Sequence, residues 1–444
     1  MGYIKRLIDN ELIKWKDSDR RKPLLLRGAR QVGKSSTVRE LGKKFDYFIE
    51  INFEKKVNQD IKTLFESALS VHQICDELSL KIDTPIIPGR TLLFLDEIQA
   101  SIPTISLLRY FYEDFPELHV IAAGSLLEFA LEELPSFGVG RIRSMFLYPF
   151  SFEEFLRAQN LNMLADALQK ASPEKPLSDM IHKRLVQYLI RFIIIGGMPE
   201  VVATYVEKES LLECQHVLDD LMLSLYDDFS KYKSRVPTAR LREVFSSVIE
   251  QTGGKFIYSK ADANSNLQQI KESISLLELA GIIYPVTNTA ATGIPLAATS
   301  NSKFRKYLIY DTGILQRFLR LDVSQILLGE DITQINKGAL AELFVGLELL
   351  KAAPCTNPTQ LYYWQRDKRG SEAEIDYIIQ YNQTVVPVEV KAGTKGTMQS
   401  LFLFLSEKQY PYGIRTSLEN FGVMPQVKIY PLYAIAQVGQ GGSI

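Results

Sequence analysis

Short apolar runs recur through the first 150 positions, separated by longer stretches in which apolar residues return every three or four places. The runs are Leu24–Leu26, Tyr47–Asn52, Thr91–Leu95, His119–Ala122 and Ser144–Tyr148. Such alternation predicts an α/β fold in which a parallel sheet is sandwiched by helices. Beyond residue 150 the period lengthens. Ser151–Gln169, Pro176–Ile195 and a stretch from about Ser210 to Phe229 read as helices. Arg240–Thr252 and Leu267–Leu279 read as two more, the second spaced at Ile270, Ile274 and Leu277 and stopped by Gly281. With a short strand or turn at Tyr258–Ala263, a wing from Ile282 to Val286 and the Thr/Ala/Gly-rich stretch after it, and a returning strand at Tyr307–Asp311, this part resembles a winged helix. A helix over Lys337–Lys351 follows, then strand-like Glu374–Gln380 and Val385–Val390, joined by a turn at Tyr381-Asn382-Gln383. The pattern divides the chain into 1–150, a helical 151–235, a winged-helix-like 236–330 and an α/β 331–444.

Length and composition agree with that division. A chain of 444 residues is long enough for two to four domains, and 46% hydrophobic with 23% charged residues is ordinary for a soluble protein with real cores. The most apolar stretch, Leu189 to Met198, is broken by Arg191 and Gly196-Gly197, so no membrane span is expected. Lys5, Arg6 and Asp9 interrupt any signal-peptide core. Cys75, Cys214 and Cys355 are odd in number and far apart, which suits buried thiols in a reducing cytoplasm rather than disulfides or zinc. The net charge of −1 is unevenly spread. Residues 231–320 hold thirteen Lys/Arg against six Asp/Glu. That asymmetry points either to an acidic partner such as nucleic acid, or to a solvated face or interdomain contact.

The chemistry starts directly after the first apolar run. Gly28-Ala29-Arg30-Gln31-Val32-Gly33-Lys34-Ser35 spells G-x-x-x-x-G-K-S, the phosphate-binding P-loop (Walker A) pattern. Glycines let the backbone curl so that successive N–H groups face an anion. Lys34 can reach the β- and γ-phosphates of ATP, Ser35 can place its hydroxyl on Mg²⁺, and Arg30, Gln31, Val32 and Ser36 complete the binding stretch.

Thr91–Leu95 ends in Asp96-Glu97, 62 residues after Lys34, where a Walker B site belongs. Asp96 is expected to hold Mg²⁺ through water, and Glu97 to polarise the attacking water. Ser125, after the run Val120–Gly124, is either a polar sensor of the γ-phosphate and lytic water or the N-cap of the following helix. Arg141 is the candidate arginine finger, with Arg143 beside it; either can instead be a surface arginine.

Four elements together resemble a group of prokaryotic AAA+-type ATPases with a nuclease-like C-terminal domain. They are the loop, Leu95-Asp96-Glu97-Ile98-Gln99, Leu147-Tyr148-Pro149-Phe150-Ser151-Phe152-Glu153-Glu154-Phe155, and Gly196-Gly197-Met198-Pro199. The resemblance runs over nearly the whole chain. It implies a P-loop AAA+-type ATPase domain over 1–150 and a lid over 151–235. In the related signal-transduction ATPases with numerous domains (STAND) a Gly-x-Pro element packs its proline near the adenine. By resemblance Pro199 takes that place; a plain turn between helices explains the same residues. The winged helix is either a DNA contact or a structural lid.

A second constellation lies in the C-terminal segment. On a strand, positions i and i+2 share a face, so Glu389 and Lys391 project together, and Asp376 on the preceding strand can join them. Glu342 lies on the helix before. The order Glu342, Asp376, Glu389, Lys391, with 13 residues from Asp376 to Glu389, resembles the PD-(D/E)XK nuclease superfamily. The resemblance implies that Glu342, Asp376 and Glu389 bind Mg²⁺ while Lys391 orients water. An ordinary strand pair with solvated charges is the other reading.

Taken together, the sequence predicts an ATP-binding, ATP-hydrolysing AAA+/STAND-type protein in the cytoplasm, coupled to a nuclease-like, nucleic-acid-binding C-terminal domain. DNA is favoured as the partner, and a partner protein or homo-oligomerisation is open. The alternative is a nucleotide-dependent switch or scaffold whose C-terminal module binds DNA or protein without cutting. A small-molecule kinase would use the same loop, but the Asp96-Glu97 pair suits water activation better.

Overall fold

The structure, a computed structural model, describes residues 2–132, 140–232, 235–321, 337–367, 373–381, 383–394 and 396–439. The domain boundary expected at residue 330 and Asn382 of the expected turn lie outside the described residues. The chain forms two compact units. One comprises Met1–Tyr148 with Leu279–Gly281 and Cys355–Asn357; the other comprises Pro149–Glu278, Ile282–Pro354 and Pro358–Ile444.

In the first unit, β1 (Leu24–Arg27), β2 (Tyr47–Asn52), β3 (Thr91–Asp96), β4 (His119–Ala123) and β5 (Arg143–Phe146) make a parallel sheet ordered β2-β3-β4-β1-β5. Each expected strand is present, with ends moved by at most two residues. Strands covered on both faces have no solvent side to alternate towards, so they read as unbroken apolar runs. Every residue of β3 and β4 is buried. One face packs Ile49, Ile51, Leu93, Leu95 and Val120 against helical Phe65, Ile74, Leu78, Leu108 and Phe111. The strand order has a direct consequence. Because β4 stands between β1 and β3, the segment after β4 emerges between the phosphate loop and Asp96-Glu97.

The second unit begins with helices Phe152–Ala158, Asn162–Lys170, Asp179–Ile195, Pro199–Lys208, Leu211–Asp228, Thr238–Glu250 and Leu267–Leu279. The single helix expected over 151–169 is two, broken where Asn160 turns left-handed at φ 60. Pro199 opens the helix that follows the Gly196-Gly197 turn. Proline suits that first position, where its missing N–H would have had no intrahelical partner.

The strands that follow are β6 (Ile283–Thr289), β7 (Ser300–Ile309), β8 (Leu361–Gln365), β9 (Glu374–Tyr381), β10 (Thr384–Val390), β11 (Gly413–Ser417), β12 (Gly422–Met424) and β13 (Val427–Pro431). They form one eight-stranded sheet ordered β12-β13-β11-β10-β9-β8-β6-β7. The hairpin β6–β7 therefore does not stand apart as the wing of a separate domain. Its inner strand pairs in parallel with β8, Val286 opposite Leu361, so the segments divided at 330 in the sequence share a sheet. That pairing satisfies a strand edge that an isolated wing would leave open.

The Pro149–Phe155 element is held by a buried ion pair on the helix Lys337–Ala352. Glu348 and Lys351 are 3.2 Å apart. Lys351 donates to the Phe150 carbonyl at 2.9 Å, and Glu348 accepts the Phe152 N–H at 3.1 Å. Ser151 and Glu154 form a reciprocal capping box on the first of the helices. Among the described residues no helix is long and apolar enough to cross a membrane.

Candidate nucleotide site and a second carboxylate cluster

The phosphate loop joins β1 to the helix Lys34–Gly42. Gly28 and Gly33 have φ of 142° and 98°, and Gln31 between them is left-handed at 62°. A Cβ on Gly28 would lie 2.1 Å from the Leu147 carbonyl oxygen, so a side chain there is excluded by space as well as by backbone angle. Arg6 braces the loop from behind, donating to the Val32 carbonyl at 3.2 Å and the Tyr148 carbonyl at 2.8 Å. The Lys34 ammonium folds back onto the loop, donating to the carbonyls of Gly28 (2.9 Å) and Ala29 (2.8 Å). Burial pushes its pKa down to about 8, against the pull of Glu97 and Asp96.

Ser35 donates its hydroxyl to the two oxygens of Asp96 at 3.1 and 3.2 Å. Asn52 donates to the same carboxylate at 3.2 Å. Asp96 is pushed up from the usual aspartate range by burial and then by the neighbouring Glu97. A hydroxyl beside a partly desolvated carboxylate is an all-oxygen donor set, which fits Mg²⁺. Asn52 went unnoticed in the sequence. Its signal is positional: it ends β2 directly opposite Asp96 on β3.

Glu97 leaves β3 in a left-handed conformation, φ 50. Its Oε2 accepts the Ser125 N–H and the Ser125 hydroxyl, each at 3.0 Å, and the Gln99 amide at 2.7 Å. Burial works to raise this carboxyl, but the bonds from Ser125 and Gln99, with Lys34 adding to them, leave its pKa below the usual glutamate value. The acid stays ionised, as a base acting on water must. The Ser125 hydroxyl is engaged with Glu97. Gln99, two residues after Glu97, is a further member that sequence reasoning missed.

The other expected site residues fall as follows. Val32 is fully buried behind the loop, Arg30 is partly exposed, and Ser36 faces solvent. Arg141 is ion-paired with Glu113, just before β5. Arg143 opens β5 opposite Leu24, the first residue of β1, so both arginines lie at the sheet edge opposite the loop of their own chain. In the second unit the Gly197 N–H donates to Asp311 at 2.6 Å, and its carbonyl accepts the Phe150 N–H at 2.7 Å. These contacts give the Gly-Gly-Met-Pro element a structural role of its own, with Pro199 starting the next helix.

The expected C-terminal constellation assembles in the second unit. β9 and β10 are an antiparallel pair, Tyr377 opposite Val388, and the next positions along are Asp376 and Glu389. Asp376 accepts the Val390 N–H at 2.7 Å, and Glu389 pairs with Lys391 at 2.6 Å. Glu342 is positioned by Tyr377, whose hydroxyl donates to the Glu342 carbonyl at 2.7 Å. Burial raises the Glu342 and Glu389 carboxyls above the usual glutamate range, with Asp376 adding to the latter. One member was not foreseen. Lys306 of β7 bonds Glu342 at 2.8 Å and Glu374 at 2.5 Å. Among the described residues no three acids, histidines or cysteines gather as a metal-binding group. Lys306, Lys391 and the Val390 N–H thus stand on the acids expected to bind Mg²⁺.

Comparison with known proteins places the first unit. Residues 20–156 match the model of an AAA domain family. This segment is therefore similar to AAA domains. Residues 186–325 and 337–435 match two domains of unknown function, DUF8612 and DUF4143. No curated protein matches the chain. Among solved structures, a Walker-type ATPase of Pyrococcus abyssi is similar at 13% identity and TM-score 0.47, covering 72% of this chain and 96% of its own. The Aeropyrum pernix Orc1 protein, solved with DNA, aligns at 12% identity and TM-score 0.28 over 72% of this chain and 92% of its own. A STAND protein with a tetratricopeptide-repeat sensor from Pyrococcus horikoshii aligns at 12% identity and TM-score 0.28, covering 79% of this chain and 45% of its own.

Proposed function

We propose that the chain binds ATP at the phosphate loop and hydrolyses it, and that nucleotide state governs a nuclease-like C-terminal module that contacts nucleic acid. The observation that carries the first half is the meeting of three groups at one sheet edge: Lys34 on the loop carbonyls, Ser35 against Asp96, and Glu97 against Ser125. The loop amides and Lys34 hold the β- and γ-phosphates. Ser35 and Asp96 would hold Mg²⁺, which when bound neutralises phosphate charge. Glu97, ionised and fixed by Ser125 and Gln99, orients a water and accepts its proton as the water attacks the γ-phosphorus. Arg141 as a finger from another copy belongs to this reading, as does Pro199 beside the adenine by resemblance.

The test is ATP binding and turnover by the wild type, Lys34→Ala and Glu97→Gln. Loss of binding in the first variant and loss of turnover alone in the second support the reading. Normal turnover by Lys34→Ala contradicts it.

For the C-terminal module a second reading has its own support. The acids of the cluster are already partnered by lysines and a backbone N–H, which favours a binding module that does not cut. Plasmid cleavage with Mg²⁺ or Mn²⁺ by wild type beside Asp376→Ala separates the two.

A further inference from the structure

We propose that Lys306 is the resident cation of the C-terminal carboxylate cluster, its buried ammonium standing where a divalent metal would have to bind. The inference deepens the non-cutting reading and is independent of ATP binding.

Lys306 comes from outside the segment that holds the four motif residues. It lies on β7, at the end of the sheet, and its backbone opposes Val286. The side chain passes over the Tyr363 ring of β8, 5.2 Å from its centroid, and is only 2% exposed. An ammonium so deep in the protein is tolerable only when fully paired. Here it has two carboxylates, Glu342 at 2.8 Å and Glu374 at 2.5 Å.

The remaining acids are also engaged. Asp376 takes the Val390 N–H, and Glu389 takes Lys391 through Oε1. Glu389 Oε2 is buried without a partner, the one carboxylate oxygen so placed among the described residues. A hard divalent ion takes six or more oxygens. Water can fill much of that shell, but the carboxylates that would anchor the ion are held by Lys306, Lys391 and the Val390 N–H. The acids of β9 and of the helix Lys337–Ala352 are thus tied to the β6–β7 hairpin by one side chain.

Mn²⁺ titration calorimetry on the full chain without nucleotide tests this, using wild type, Asp376→Asn, Lys306→Met and the Lys306→Met/Asp376→Asn double variant. Any weak binding at Asp96 is common to all four. The expected result is that wild type and Asp376→Asn titrate alike, within about twofold. Lys306→Met should gain a site at least about tenfold tighter, and the double variant should lose it. Mn²⁺ binding by wild type that vanishes in Asp376→Asn overturns the proposal, as does Lys306→Met with no new site. Should Lys306→Met not fold, the comparison of wild type with Asp376→Asn still decides, like titrations supporting the proposal and an Asp376-dependent site overturning it. ATP binding measured on the wild type separates the two readings: its absence would sink the nucleotide assignment and leave this one standing.

Discussion

Glu97 and Ser125 leave the ends of neighbouring strands, and one oxygen of Glu97 accepts both the N–H and the hydroxyl of Ser125 at 3.0 Å. The strand order makes this meeting possible, since β4 lies directly beside β3. Ser125→Ala removes the hydroxyl and keeps the amide. The expected result is ATP turnover about tenfold slower with ATP affinity within about twofold, because the bond orients a base and does not hold phosphate. Steady-state kinetics beside equilibrium binding checks it. An equal loss in both would make Ser125 a binding residue instead.

Lys34 gives ATP binding a pH dependence of definite sign. Its pKa in the nucleotide-free protein is about 8, lowered by burial. A triphosphate stabilises the protonated amine, so ATP binding above pH 8 is coupled to proton uptake. Affinity should be flat from pH 7 to just below 8 and then fall, approaching tenfold per pH unit. Binding measured at pH 7, 8, 9 and 9.5 tests this. A flat profile through pH 9.5 would mean that Lys34 is not the group meeting phosphate.

His119 sets an acid limit on the first unit. It is buried, its Nε2 donates to the Lys16 carbonyl at 3.1 Å, and its ring packs edge-on against Trp15 and Phe45. Burial, with Arg21 nearby, pushes its pKa down to about 4 from the usual 6.5. Between those values the unfolded chain binds the proton and the folded one does not. Stability is therefore full above pH 6.5 and declines as pH falls towards 4, by up to about 3 kcal/mol. Urea unfolding between pH 7 and 4.5 should show that slope in wild type and a clearly shallower one in His119→Gln. Equal slopes would remove His119 from the account.

Glu348 and Lys351 anchor the Pro149–Phe155 element, with side chains 2% and 7% exposed. Glu348→Ala strands the ammonium and frees the Phe152 N–H. The expected loss is about 3–5 kcal/mol of stability. Glu348→Met/Lys351→Met leaves neither charge behind, so it should cost less than the sum of the single changes. Chemical denaturation of Glu348→Met, Lys351→Met and the double variant reads this directly, and simple additivity would contradict the pairing.

How much could be read from the chain depended on whether a residue's partners were near in sequence or set by topology. The strands of the first sheet were legible because burial on both faces leaves continuous apolar runs such as Thr91–Leu95. The phosphate loop was legible because its spacing is itself the geometry. Asp376 and Glu389 could be placed together because a hairpin has one simple register. Asn52 and Gln99 were not legible, since a polar residue at a strand end gains its role only from the neighbour opposite. Lys306 was hidden more deeply. In sequence it belongs to a basic stretch that reads as facing an acidic partner, solvent or another domain, and the parallel pairing of β6 with β8 brings it to Glu342 and Glu374. The same crossover hid the continuity of the eight-stranded sheet.

In the proposed hydrolytic ATP site, Glu97 is the base. The most direct test is single-turnover ATP hydrolysis with Mg²⁺ by wild type and Glu97→Gln, beside ATP affinity for both. In Glu97→Gln, affinity is expected within about threefold of wild type and hydrolysis slowed by about 100-fold or more. Hydrolysis by Glu97→Gln at the wild-type rate would contradict it.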